Sequence, residues 1–112
     1  MTSRFNMTEK TALVTGSAGM LGRQHAAALL EVGASVVLTD INVGDLEVAR
    51  NELVESFGDH KIRTMSMDVT QLRSIEEVAE KLDSDGVGVD VLINNAALDT
   101  KVGEDGLPAG SR

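Results

Sequence analysis

The sequence predicts an α/β fold built on an open parallel sheet. Three observations predict it. Short apolar, β-branched runs alternate three times with longer amphipathic stretches, the pattern of repeated βαβ units. The short runs are nearly continuous in apolar character, as strands are when both faces of the sheet are covered. The stretches between them are long enough for the right-handed crossover helices that parallel strands require.

Thr11 to Thr15 (TALVT) is the first strand and ends at Gly16. A helix runs from about Met20 to Val32, with Leu21, Ala26, Leu29 and Leu30 on one side and Gly33 as its stop. Ala34 to Thr39 (ASVVLT) is the second strand and ends at Asp40. Asn42 caps the second helix, which spaces Leu46, Ala49, Leu53 and Phe57 by threes and fours before Gly58 closes it. Lys61 to Met67 (KIRTMSM) is the third strand. Leu72, Ile75, Val78, Ala79 and Leu82 form a third apolar stripe at helical period. That helix has two candidate starts: a Thr70 cap, or a Ser74–Glu77 capping box. Val89 to Ile93 (VDVLI) is the fourth strand and closes at Asn94-Asn95. Residues 1–97 are expected to form one folded unit; residues 98–112 (LDTKVGEDGLPAGSR) have no period and read as a loop or frayed tail.

Composition bounds the function. The 112 residues suffice for one small domain. A net charge of −8 argues against nucleic acid and anionic membrane as partners. The absence of cysteine excludes a disulfide framework, a thiolate nucleophile and a cysteine metal site. No apolar run approaches the roughly eighteen residues of a membrane span, and the first ten residues lack the apolar core of a secretory leader. A cytoplasmic location is expected. The two aromatic residues are Phe5 and Phe57, so phenol chemistry is impossible on this chain.

The motif that carries chemistry is Thr15-Gly16-Ser17-Ala18-Gly19-Met20-Leu21-Gly22, between the first strand and first helix. Gly16 permits the sharp turn, Gly19 lets backbone approach a pyrophosphate, and Gly22 lets the helix pack closely. The N–H groups and dipole at the helix start favour phosphate, and Ser17 is a candidate donor through its hydroxyl or N–H. The second strand then ends in an acid, Asp40, as a dinucleotide site requires. A carboxylate there accepts the hydroxyls of an adenosine ribose and repels a 2′-phosphate. No Lys or Arg occurs between Arg23 and Arg50, so NAD is favoured over NADP.

With these motifs in order, the chain resembles the N-terminal half of a short-chain dehydrogenase/reductase. Four features carry the resemblance: Thr15 to Gly22, Asp40, the Asp68-Val69 pair, and Asn94-Asn95-Ala96-Ala97. It implies a Rossmann-like sheet in the order 3-2-1-4 with helices on both faces, four strands of an incomplete doubly wound fold. It implies cofactor contacts at Gly16, Ser17, Gly19, Met20, Leu21, Gly22, Asp40, Ile41, Asp68, Val69, Asn95 and Ala96. Asp68 is expected at the adenine amine, Val69 at the ring, and Asn95 and Ala96 beside the cofactor ribose. The family's hydride transfer between a nicotinamide and an alcohol or carbonyl uses a Ser, a Tyr and a Lys beyond the fourth strand. With no tyrosine, this chain is expected to bind NAD without turning over alone. Met20 stands where the single-domain branch has glycine, and the Gly16-Gly19-Gly22 spacing resembles the extended branch. A non-catalytic dinucleotide-binding module and a fragment of a nucleotide-sugar epimerase or dehydratase are the alternatives. The unpaired edge of the fourth strand is expected to favour self-association.

The remaining polar residues read as structural. His25 and His60 have no partner pattern for metal or triad chemistry, and no metal site is expected. Met65 and Met67 read as core filler, Glu76, Glu77 and Glu80 as a solvated helix face, and Arg23 as a solvated or paired surface residue, the alternative being an approach to a phosphate from the first helix turn.

Overall fold

The computed structural model describes residues 7–95. The elements run β1 (Thr11–Thr15), α1 (Met20–Glu31), β2 (Ser35–Asp40), α2 (Val43–Phe57), β3 (Ile62–Ser66), α3 (Leu72–Ser84) and β4 (Val91–Asn94). All pairings are parallel, and the strand order is β3-β2-β1-β4. Ala12 lies between Val36 of β2 and Val91 of β4, and Val14 between Leu38 and Ile93. The sheet order therefore reverses at β1, which has β2 on one side and β4 on the other.

Alternation along the strands divides the core in two. Val36 and Leu38 of β2 and Ile62 of β3 face α1 and α2, packing on Ala26, Leu30, Leu46 and Leu53. Leu13 and Val37, one residue out of phase, face α3 and pack on Met67, Val78 and Leu82. Burying a side chain such as Leu38 contributes about 1.5–3 kcal/mol, and the sheet centre holds several such residues.

The segment edges differ from the sequence expectation where side chains intervene. Asn42 does cap α2, its Oδ1 accepting from the Asp45 N–H at 3.0 Å, and Gly58 closes that helix on the Val54 carbonyl. Neither candidate cap starts α3: Gln71 is its N-cap residue and makes no side-chain cap. Ser74 instead accepts the Asp68 N–H at 2.9 Å, and the Thr70 hydroxyl donates to Asp68 at 2.6 Å. The fourth strand begins at Val91, because Asp90 directs its carboxylate to the Thr11 N–H at 2.9 Å, while its own N–H bonds the Thr11 carbonyl. Leu21 is 57% exposed, so the packed side of α1 is Gly22, Ala26 and Leu30. On α3 only Val78 and Leu82 are buried. Leu72, Ile75 and Ala79 remain exposed, the last two along an apolar groove of about 420 Å³ between α3 and β4. Residues 98–112 lie outside the described residues.

Candidate functional site

Because every strand is parallel, the carboxyl ends of β1 to β4 open on one edge of the sheet, and the reversal of order at β1 leaves a crevice there. A cleft of about 530 Å³ occupies it. Its walls are Gly16 and Gly19 after β1, Thr39, Asp40 and Ile41 at the end of β2, Met67 to Thr70 after β3, and Asn95 after β4.

The glycine loop is shaped by two steric requirements. Gly16 has φ +64°, a conformation costly for residues with a Cβ. At Gly22 an added Cβ would stand 2.3 Å from the Gly16 carbonyl oxygen and 2.9 Å from the Ser17 Cα. Only glycine lets α1 sit this close beneath the loop. Gly19 differs: an added Cβ would meet nothing nearer than 3.5 Å. Among the described residues its bareness serves no close packing, and it leaves the loop backbone open to the cleft. Gly19 is also the N-cap of α1, with no side-chain cap and no acid in the first turn. The first N–H groups of a helix have no intrahelical partner, so this end is suited to an anion.

Ser17 takes a part the sequence did not indicate. It is fully buried. Its hydroxyl donates to the Val14 carbonyl at 2.6 Å and accepts from the Thr39 N–H at 3.1 Å. Its own N–H donates to the Thr39 carbonyl at 3.0 Å. This corrects the expectation of a phosphate contact: both of its donors are committed to β1 and β2, and the residue sits behind the cleft wall. The Thr39 hydroxyl adds a bond to the Val14 carbonyl at 3.0 Å.

Asp40 is half-buried at the end of β2. One carboxylate oxygen accepts from the Ala18 N–H at 2.9 Å and the other from the Asn42 N–H at 3.0 Å. A carboxylate offers about four lone-pair positions, so each oxygen keeps acceptor capacity toward the cleft. Across the cleft, Asp68 accepts from both the N–H and the hydroxyl of Thr70. Those bonds, the hydroxyl foremost, hold its carboxyl below the usual carboxylate range. The strand ends are tied to one another as well: the Met67 N–H bonds the Asp40 carbonyl at 3.1 Å, and the Thr15 hydroxyl donates to Asn94 Oδ1 at 2.8 Å and accepts from the Asn95 N–H at 3.0 Å.

Of the residues singled out from sequence, Gly16, Gly19, Asp40, Ile41, Asp68, Val69 and Asn95 line the cleft. Met20 and Leu21 are exposed on the first turn of α1, 72% and 57% respectively, and Gly22 packs under the loop. Ala96 lies outside the described residues. Sequence reasoning missed Thr39, Thr70 and the cleft-facing part of Met67. Thr39 and Thr70 flank the two acids, and that adjacency was the available signal. Arg23 is paired with Glu52 at 2.7 Å, joining α1 to α2. Among the described residues no group of three or more His, Asp and Glu is placed to hold a metal ion, and no helix is long and apolar enough to cross a membrane.

The short chain dehydrogenase family pattern matches residues 10–107. The chain is 47% identical over 90 residues to sorbitol dehydrogenase of Cereibacter sphaeroides, covering 80% of this chain and 33% of that protein. It is 37% identical over 97 residues to the short chain dehydrogenase/reductase dpmpG of Macrophomina phaseolina, covering 87% of this chain and 55% of that one. Among solved structures, L-sorbose reductase of Gluconobacter frateurii, complexed with NADPH and L-sorbose, superposes with a TM-score of 0.81 at 27% identity, over 97% of this chain and 41% of the reductase. The chain thus spans a third to about half the length of these relatives.

Proposed function

Because this chain belongs to the short chain dehydrogenase family, we propose that its cleft holds the adenosine and pyrophosphate half of a nicotinamide dinucleotide, NAD in preference to NADP. The single observation that carries the preference is Asp40: its carboxylate forms the β2 wall of the cleft, and among the described residues no Lys or Arg lines that cleft. The ribose hydroxyls donate to its oxygens, while a 2′-phosphate there meets like charge without a compensating base. The residues fit such a ligand. The volume suits a nucleotide half, the glycine backbone lies open at Gly19, and the α1 N-terminus carries no competing acid.

In this reading the pyrophosphate lies over Gly16, Gly19 and the first turn of α1, where Met20 and Leu21 stand, with Gly22 keeping that helix close. Ile41, Asp68 and Val69 bracket the adenine, and Asn95 and Ala96 border the second ribose. Ser17 acts by position, from behind. The dinucleotide, when bound, supplies the hydride acceptor or donor. The whole protein's activity is then hydride transfer between nicotinamide and an alcohol or carbonyl, and this chain binds and orients the cofactor. With no tyrosine in its 112 residues, it turns over no substrate alone. A cytoplasmic setting suits a chain without cysteine. The chain by itself self-associates through the β4 side, where Leu92 is 64% and Val89 43% exposed beside the α3 groove; a monodisperse monomer in the ultracentrifuge at micromolar concentration would count against this.

The test of the cofactor reading is isothermal titration of the chain with NAD and NADP. The expected result is binding of NAD at least about tenfold tighter, about 1.4 kcal/mol. Equal or tighter binding of NADP refutes the ribose assignment.

A further inference from the structure

Residue by residue, the glycine loop is stitched to the end of β2. The Ser17 N–H and hydroxyl engage both backbone groups of Thr39, and the next residue, Ala18, donates its N–H to the Asp40 carboxylate. Beyond Val14, β1 has left the regular β1–β2 ladder, whose last pair is Val14 with Leu38. Past the ladder one backbone bond, from the Ser17 N–H to the Thr39 carbonyl, and two side chains, Ser17 and Asp40, continue the connection. Ser17 is fully buried and provides the rigid part. Asp40 provides a charged acceptor at the point where the loop turns toward the cleft, and such bonds are stronger than neutral ones.

Resting on the dinucleotide reading above, we propose that Asp40 is a positioning residue for the phosphate-binding loop as well as the residue that reads the ribose. One carboxylate does both jobs: its bond to Ala18 sets the loop geometry that the pyrophosphate meets, and its remaining lone pairs take the hydroxyls. Replacing it to admit NADP therefore costs phosphate binding unless the new side chain still accepts from Ala18. Asparagine does so through its one amide oxygen, without the charge and at the expense of the Asn42 bond; alanine loses both. The two substitutions part on this point, since a ribose reader alone makes both equally harmless to a ligand that has no ribose hydroxyls.

The probe is an NAD analogue whose adenosine ribose lacks both hydroxyls, titrated against wild type, Asp40→Asn and Asp40→Ala. Asp40→Ala, which loses the charge-assisted bond to Ala18 altogether, is expected to bind the analogue about tenfold more weakly than wild type, and Asp40→Asn, which keeps a neutral bond there, within about threefold of it. Equal binding of the analogue by wild type and Asp40→Ala overturns the proposal while leaving the ribose assignment standing. Amide hydrogen exchange gives a second readout on the free chain. The Ala18 amide is expected to be protected comparably to that of Ser17 in wild type and in Asp40→Asn. An Ala18 amide exchanging at the rate of an unstructured peptide overturns the latch, whether or not Asp40→Ala folds. Failure of wild type to bind NAD at all would instead sink the dinucleotide reading, with the exchange result still deciding the latch.

Discussion

Alanine at Gly22 and alanine at Gly19 add the same methyl group about 4.5 Å of helix apart, and the structure assigns them opposite consequences. At Gly22 the new Cβ meets three backbone atoms: the Gly16 oxygen at 2.3 Å, the Ser17 Cα at 2.9 Å and the Gly16 carbonyl carbon at 3.0 Å. None is the end of a flexible side chain, so relief requires α1 to lift from the loop by about 1 Å, at the overpacking cost of roughly 3 kcal/mol. For a domain of this size that is a large share of a total stability of about 5–15 kcal/mol. The expected fall in thermal midpoint is about 10 °C or more. At Gly19 the added Cβ makes ordinary contact at 3.5 Å. The free chain is expected to lose no more than about 1 kcal/mol, the cost of alanine at an N-cap. Gly19 lines the cleft, however, and on the dinucleotide reading its methyl group obstructs the approach of a phosphate to the loop backbone. Urea unfolding followed by circular dichroism measures the first effect, and titration with NAD the second. Gly22→Ala should be destabilised. Gly19→Ala should unfold close to wild type and bind NAD at least about thirtyfold more weakly, about 2 kcal/mol. A Gly22→Ala variant as stable as wild type refutes the close-packing argument. A Gly19→Ala variant with wild-type affinity refutes the placement of the phosphates.

Thr15→Val removes the hydroxyl that joins β1 to Asn94 and Asn95; an expected loss of about 1–2 kcal/mol in urea unfolding checks whether this buried bridge holds the strand ends together. Asn42→Ala deletes the α2 cap on Asp45 and should cost about 1 kcal/mol by the same assay, with Asn42→Ser retaining most of it. Asp85 is held below the usual carboxylate range, first by its hydrogen bond to Arg63 and then by the charge of Lys81. Its folded value is thus depressed, so its stabilising effect is present above the unfolded-state value of about 3.9 and is lost as pH falls through the folded one. Arg63→Gln should raise the Asp85 titration midpoint seen by carboxyl-carbon NMR and flatten the acid limb of the stability curve; an unchanged midpoint would show that the pair is not formed in solution.

The sequence by itself determined the elements, the strand directions and the place of the cleft. Apolar runs of five or six residues, separated by helices that must cross over with one hand, leave few arrangements, and Leu13 and Val37 facing α3 while Val36 and Leu38 face α1 and α2 follows from alternation together with that hand. The glycine spacing and Asp40 were legible for the same reason: they are backbone and end-of-strand requirements, fixed by local position. Tertiary structure alone decided what the short polar side chains do. Ser17 read as a phosphate donor, yet it is buried between Val14 and Thr39; Ser74 read as a helix cap, yet it accepts from Asp68. A hydroxyl bonds whichever donor or acceptor the fold brings within about 3 Å. Its partner 22 residues away, as Thr39 is from Ser17, leaves no periodic trace in the chain. The same holds for the bond between Ala18 and Asp40, which exists only because β1 and β2 end side by side.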